Sequence, residues 1–212
     1  MIKKFIIATT LATVLGPIAS MYAMNDKQKE SNNEGAVQAA PLSAKEFELA
    51  RIELAQVALL AAIQSNNVEL AKQALAQGAL ISEPLKNNMS LLHLAAEQGY
   101  DVIVRLLLEK RSEVNAIGMR DITPLHMAAL HNHDSVAQIL LEGRANINQA
   151  AADGSTPLYL AVLRGQDKTV DALIKGRADV NKPNKAHVTP LSLATAKNYP
   201  VIKAMLMCEG AQ

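Results

Sequence analysis

Along most of this chain the apolar and polar positions alternate between two short patterns that share one longer period. Ser90-Leu91-Leu92-His93-Leu94-Ala95-Ala96 returns as Thr123-Pro124-Leu125-His126-Met127-Ala128-Ala129, then as Thr156-Pro157-Leu158-Tyr159-Leu160-Ala161-Val162 and Thr189-Pro190-Leu191-Ser192-Leu193-Ala194-Thr195. These phrases begin at 90, 123, 156 and 189, a step of 33, and one step back Val57-Ala58-Leu59-Leu60-Ala61-Ala62-Ile63 is a degenerate first copy. Leu106-Leu107-Leu108, Ile139-Leu140-Leu141 and Ala172-Leu173-Ile174 keep the same step, each leading to Val114-Asn115, Ile147-Asn148 or Val180-Asn181. Thr-Pro predicts a helix start, with the hydroxyl as cap and proline at the first helical position, where its missing N–H costs nothing. The helix is short and ends near Gly99, Asn132, Gly165 or Asn198, residue types that tolerate a left-handed backbone. A second, more apolar helix follows. Each unit buries one face and leaves another that only the next unit can cover, which predicts an all-α repeat solenoid with contacts between neighbours alone.

Ahead of the repeats the pattern changes twice. Met1-Ile2-Lys3-Lys4 is basic, Phe5 to Gly16 carries no charge, and Pro17 leads into Ile18-Ala19-Ser20-Met21-Tyr22-Ala23. Such a segment, 1–23, reads as a secretory signal peptide. It is shorter than the roughly 20 apolar residues of a membrane span. Cleavage is expected after Ala23, with Ser20 second; a retained anchor or a buried first helix are the alternatives. Residues 24–41 are polar and too poor in apolar surface to offset the entropy of ordering, so they read as a flexible leader. Order is expected to resume over 42–212, where Ser43-Ala44-Lys45-Glu46 has the form of a capping box. Phe47, Leu49, Ala50, Ile52, Leu54, Val57 and Ala58 then recur at helical spacing.

Composition narrows the picture. Half of the chain is hydrophobic but only 3% is aromatic and tryptophan is absent. A core of Leu, Ile, Val and Ala suits closely packed helices better than a sandwich or barrel. With 21 Lys and Arg against 20 Asp and Glu, the chain has no overall pull towards nucleic acid or anionic lipid. Cys208 is the single cysteine, which excludes an internal disulfide and a cysteine-based zinc site. Its neighbours Ala204 to Met207 supply no base, so it reads as a half-buried structural thiol and not a nucleophile.

The phrase Thr123 to Ala129 resembles the hallmark of the ankyrin-repeat family, and the resemblance extends from about Leu54 to Gln212. It implies about five repeats, near 54–86, 87–119, 120–152, 153–185 and 186–212, each adding a hairpin finger to a stack with a concave groove. It further implies a non-catalytic scaffold that binds another protein, with no cofactor and no metal. The contact positions it implies are the finger tips and the short inner helices. The tips carry Lys86, Asn87 and Met89; Met119, Arg120 and Ile122; Ala152, Asp153 and Ser155; and Lys185, Ala186 and Val188. The inner helices present Glu97 and Gln98, Leu130 and His131, Leu163 and Arg164, and Ala196 and Lys197. The third repeat is the expected centre, because Met119, Ile122 and Leu130 lie beside Arg120, an apolar cluster with an arginine.

Three further features bear on function. His133 falls at the family's usual histidine position and Asn132 at its glycine position, so His131-Asn132-His133 reads as part of the repeat and not as a metal site. By resemblance, His93 and His126 hydrogen-bond within and between neighbouring turns; Tyr159 and Ser192 replace them later. Where the family usually has glycine after the second helix, Arg111, Arg144 and Arg177 stand instead, flanked in phase by Gly78 and Gly210. They read either as a stripe for an acidic partner or as solvated helix ends opposing the helix dipole, with Glu109, Glu113 and Glu142 close by. The final repeat stops at Gly210-Ala211-Gln212 without a clearly polar closing helix, so Val201, Met205 and Met207 could pair with a second copy. A short lysine-led signal and the absence of paired cysteines point to a bacterial protein acting in the periplasm or after secretion, without stable membrane insertion once the signal is cleaved. Basic and aromatic residues are not interleaved, which argues against nucleic acid.

Overall fold

A computed structural model of the protein describes residues 44–211. The expected signal segment, the leader, the Ser43 cap, Gln212 and the side chains of Phe47 and Lys86 lie outside the described residues. Ten α-helices and no strand order the described residues: α1 Ala44–Gln64, α2 Val68–Ala76, α3 Leu91–Gln98, α4 Asp101–Glu109, α5 Pro124–Leu130, α6 Asp134–Glu142, α7 Pro157–Arg164, α8 Asp167–Lys175, α9 Pro190–Ala196 and α10 Pro200–Cys208. The starts are set locally. Ser90, Thr156 and Thr189 accept the amides of His93, Tyr159 and Ser192 at 3.3, 3.1 and 3.2 Å, satisfying donors that the first turn leaves open.

The stops are equally local, and each repeat has two. After the inner helix the left-handed residue is Asn66, Gly99, Asn132, Gly165 or Asn198, with φ of 54°, 74°, 64°, 69° and 57°. Each lets the next amide reach a carbonyl five residues back, as in His133 N to Ala128 O (3.0 Å) and Gln166 N to Ala161 O (3.1 Å). After the outer helix the left-handed position is Gly78, Arg111, Arg144, Arg177 or Gly210, at 96°, 64°, 67°, 66° and 80°. Here Ser112 N reaches Leu107 O at 3.0 Å, Ala145 N reaches Leu140 O at 2.9 Å and Ala178 N reaches Leu173 O at 3.0 Å. An L-residue with a side chain pays about 1–2 kcal/mol for that conformation, whereas a cation at a helix end gains only about 0.3–1 kcal/mol from the dipole. Local energetics therefore disfavour arginine at 111, 144 and 177.

Helices α3, α5, α7 and α9 pack side by side in one layer, α4, α6, α8 and α10 in a second, and each helix packs chiefly against its hairpin partner and its nearest layer neighbours. The apolar faces meet between the layers, where Leu92, Leu107, Leu125, Leu140, Leu158, Leu173 and Leu206 are fully buried. The turns behind the outer helices are laced from repeat to repeat: Asn115 Oδ1 accepts Asn146 N at 2.7 Å and Asn148 Oδ1 accepts Asp179 N at 2.8 Å.

The first copy departs from the others. The stretch from Ala44 and the degenerate phrase at 57–63 form one continuous helix of 21 residues. Its second half behaves as an inner helix, with Leu59, Ala62 and Ile63 buried. Its beginning does not: Leu49 is 57% exposed, although its spacing placed it on the apolar face. No repeat precedes it among the described residues to cover that face.

Candidate functional site

Four loops precede the inner helices, and each closes on itself through backbone. The amides of Leu85, Gly118, Ala151 and Asn184 donate to the carbonyls of Met89, Ile122, Ser155 and Val188 at 2.6, 2.8, 2.9 and 3.1 Å. Successive fingers are tied to one another: Ala152 N donates to Arg120 O at 2.8 Å and Lys185 N to Asp153 O at 2.9 Å at the tips, and Asn88 Nδ2 donates to Ile117 O at 2.7 Å at the root of the next finger. The fingers thus form a row of fixed spacing, a requirement for presenting contacts without a large ordering cost.

The phrase histidines anchor this row. His93 Nδ1 accepts Ser90 N at 3.0 Å while Nε2 meets Ile122 O at 2.9 Å. His126 repeats the arrangement with Thr123 N at 3.1 Å and Ser155 O at 3.2 Å. A carbonyl can only accept, so Nε2 carries the proton and Nδ1 is bare, which fixes one neutral tautomer. Burial lowers the pKa of both rings, pushing His126 down to about 4 despite the opposing pull of the Ser155 and Gln149 carbonyls and of Asp153. In the third interval Tyr159 does the bridging, its hydroxyl accepting Asn184 Nδ2 at 3.1 Å. His133 has a related duty one helix lower: its Nε2 meets Glu97 O of the preceding repeat at 2.9 Å, and its ring lies nearly parallel to that of His131 with centroids 6.4 Å apart. Among the described residues no three His, Cys, Asp or Glu side chains are grouped to hold a metal ion.

The expected contact residues divide. Met119 is 54% exposed on the second described finger, and Arg120 beside it is exposed. Asn87, Gln98, His131, Asp153 and Arg164 are also exposed, while Met89, Glu97, Ile122 and Leu130 are half-buried. Only the backbone of Lys86 is described. Ser155 was expected at the surface, but it is 1% exposed. Its hydroxyl donates to Asp153 Oδ2 and its amide to Oδ1, both at 2.9 Å, and the His126 ring covers it from the other side. Partial burial works to raise the Asp153 carboxyl, yet the Ser155 amide and hydroxyl outweigh it and hold the group below its usual range. Ser155 shapes the finger from within.

Ile117 was missed. It is 41% exposed at the root of the Met119 finger, and its place outside both repeat phrases gave no periodic signal. Arg120 and Asp121 at that finger's tip both have positive φ, 59° and 58°. Asn87 and Asn88 hold the same pair of positions one repeat earlier at 62° and 58° with a residue type better suited to them. Cys208, expected to be half-buried, is exposed. It occupies the phase of Glu109, Glu142 and Lys175, all of which face solvent.

A stack of two-helix units joined by fingers that bond to one another defines a helical repeat scaffold. A family model for ankyrin repeats, in three copies, matches residues 31–121, 58–151 and 125–212. The chain belongs to the ankyrin-repeat family. Ankyrin repeats generally mediate protein–protein interaction and their proteins are typically non-enzymatic scaffolds. Among curated proteins no match is found. No helix among the described residues is long and apolar enough to cross a membrane.

Proposed function

We propose that this protein is a non-catalytic scaffold that acts outside the cytoplasm and binds a partner protein through its fingers and inner helices, centred on the finger of Ile117, Met119 and Arg120. The observation that carries this reading is the pair of large apolar side chains, 41% and 54% exposed, on a finger whose tip holds two residues with side chains in the left-handed region. Apolar groups beside an arginine on a rigid loop have the composition of an interface core. Ile122, Leu130 and His131 extend the surface onto α5, and Asn87, Met89, Glu97, Gln98, Asp153 and Arg164 flank it on the adjacent repeats. Nucleic acid is not part of this reading, and neither is a cofactor. Export rests on the basic, apolar and small-residue stretches of 1–23.

The test uses the chain from Met24 to Gln212 as bait in an extract of the source cell, beside a bait carrying Met119→Glu and Ile122→Glu. A protein held by the first and released by the second, by about 2 kcal/mol or more in a direct titration, supports the surface. Equal recovery of the same partner by both baits sinks it. Cell fractionation with N-terminal sequencing tests export: a mature chain starting at Met24 or Met21 in the periplasm or medium is expected, and an intact Met1 in the cytoplasm rejects it.

A second reading has its own observation. Val201 and Met207 are 51% and 57% exposed, and Val201 lines a shallow groove with Ile174, Pro200, Ala204 and Met205, so the last described helix offers apolar surface to a second copy. A sedimentation profile of a monomer at every concentration removes this alternative.

A further inference from the structure

The edge of the stack formed by the turns after the outer helices carries one arginine per repeat: Arg111, Arg144 and Arg177, all exposed. The backbone there is left-handed in every repeat, and the two end repeats fill it with Gly78 and Gly210. The turn itself therefore works with glycine, and three times over this chain has taken the less favourable residue at the same phase. The acids nearby do not account for it. Glu142 pairs with Arg105 at 3.2 Å, Glu113 accepts Asn115 N at 3.1 Å and Asp179 accepts Asn181 N at 2.9 Å. Among the described residues no carboxylate, Glu109 included, lies within ion-pair distance of the three guanidinium groups. The first rung opens onto a hollow walled by Leu80, Ser82, Lys110, Arg111 and Glu113.

We infer that Arg111, Arg144 and Arg177 form a second docking edge, separate from the finger surface, that binds an extended acidic polypeptide segment with its carboxylates spaced to meet one arginine per repeat. The guanidinium fork matches a carboxylate with two parallel bonds. The interspersed Glu109, Glu113, Glu142 and Asp179 select for this class of partner. A continuous array of phosphates or an anionic bilayer would be pressed against those acids, while separated carboxylates can sit on the arginines between them.

The strain makes the test clean. Replacing all three arginines with glycine in the full chain removes the cations and relaxes the turns, so the variant is expected to melt at or above the wild-type temperature. A labelled oligoglutamate peptide is titrated into both proteins, with oligoglutamine, phosphatidylserine vesicles and a short DNA duplex as parallel probes. The wild type is expected to bind oligoglutamate, more weakly as salt rises, and the triple glycine variant to bind it about tenfold less tightly or worse. The Met119→Glu, Ile122→Glu variant is expected to bind it as the wild type does. Asparagine at the same three positions, also tolerant of left-handed backbone, repeats the loss with a different side chain. The inference is overturned if the glycine variant binds oligoglutamate undiminished, if the wild type does not bind it, if vesicles or duplex bind more tightly than the peptide, or if the finger variant loses binding as well.

Discussion

His126 links its own helix to the next finger, and its ring is fully buried and neutral. In the unfolded chain the ring takes a proton near its ordinary pKa of about 6.5, while in the folded chain it resists until about 4. Between those values the unfolded state holds more protons, so the contribution to stability is complete above about pH 6.5 and is lost as pH falls towards 4. Urea unfolding at pH 7 and pH 4.5 is expected to show a drop of a few kcal/mol, on the order of 1.4 per unit of separation. The slope is expected to be markedly shallower in His126→Gln; an unchanged slope would show that other groups carry it. Glycine supplies a second contrast. A Cβ on Gly99, at φ 74°, would lie 2.4 Å from His133 Nδ1, whereas one on Gly210, at φ 80°, would meet nothing within 4 Å. Gly210→Ala is therefore expected to cost about 1 kcal/mol from backbone alone, and Gly99→Ala clearly more, read from the shift of the urea midpoint.

At the scale of one element, the helices divide by what fixes them. The inner helix α7 begins on a threonine that caps it and a buried proline, so Thr156→Ala is expected to cost about 1 kcal/mol. The first turns of α1 have neither described cap nor burial, and Leu49→Glu on its exposed side is expected to change stability by no more than about 0.5 kcal/mol. Both values can be read from thermal or urea unfolding, and a large loss for Leu49→Glu would mean that something covers this face. The helix itself was legible from apolar spacing. Its burial was not, because the same spacing arises whether or not a neighbour is present.

Across the described repeats, stability passes from one repeat to the next, since each layer helix packs chiefly against its neighbours. Leu140 is fully buried in a central repeat, and Leu140→Ala is expected to cost about 2–5 kcal/mol. It is also expected to uncouple the two ends, so that amide exchange in α10 and α1 no longer tracks a single transition. Uniform loss of protection along the chain would argue against the nearest-neighbour picture. The far end is partly closed: where Val162 and Val170 are fully buried, the last repeat has Thr195, which is exposed, and Lys203, which is half-buried. Met207 lies one helical turn beyond Lys203, so its exposed side chain shares a face with that cation, while Val201 lines the groove.

The sequence alone determined the repeat length, from phrases that return every 33 residues, and the starts and stops of the inner helices, because each of those ends depends on groups within about six residues of one another. It also placed His93 and His126 in a bridging role through the family phrase. Tertiary structure decided exposure. Ser155 is buried by His126 and Asp153, Ile117 emerges beside Met119, Cys208 and Leu49 face outward, and Arg111, Arg144 and Arg177 stand on one edge without an ion-pair partner among the described residues. Whether a side chain meets solvent or a neighbour depends on chain a full repeat away, and local spacing carries no record of that distance.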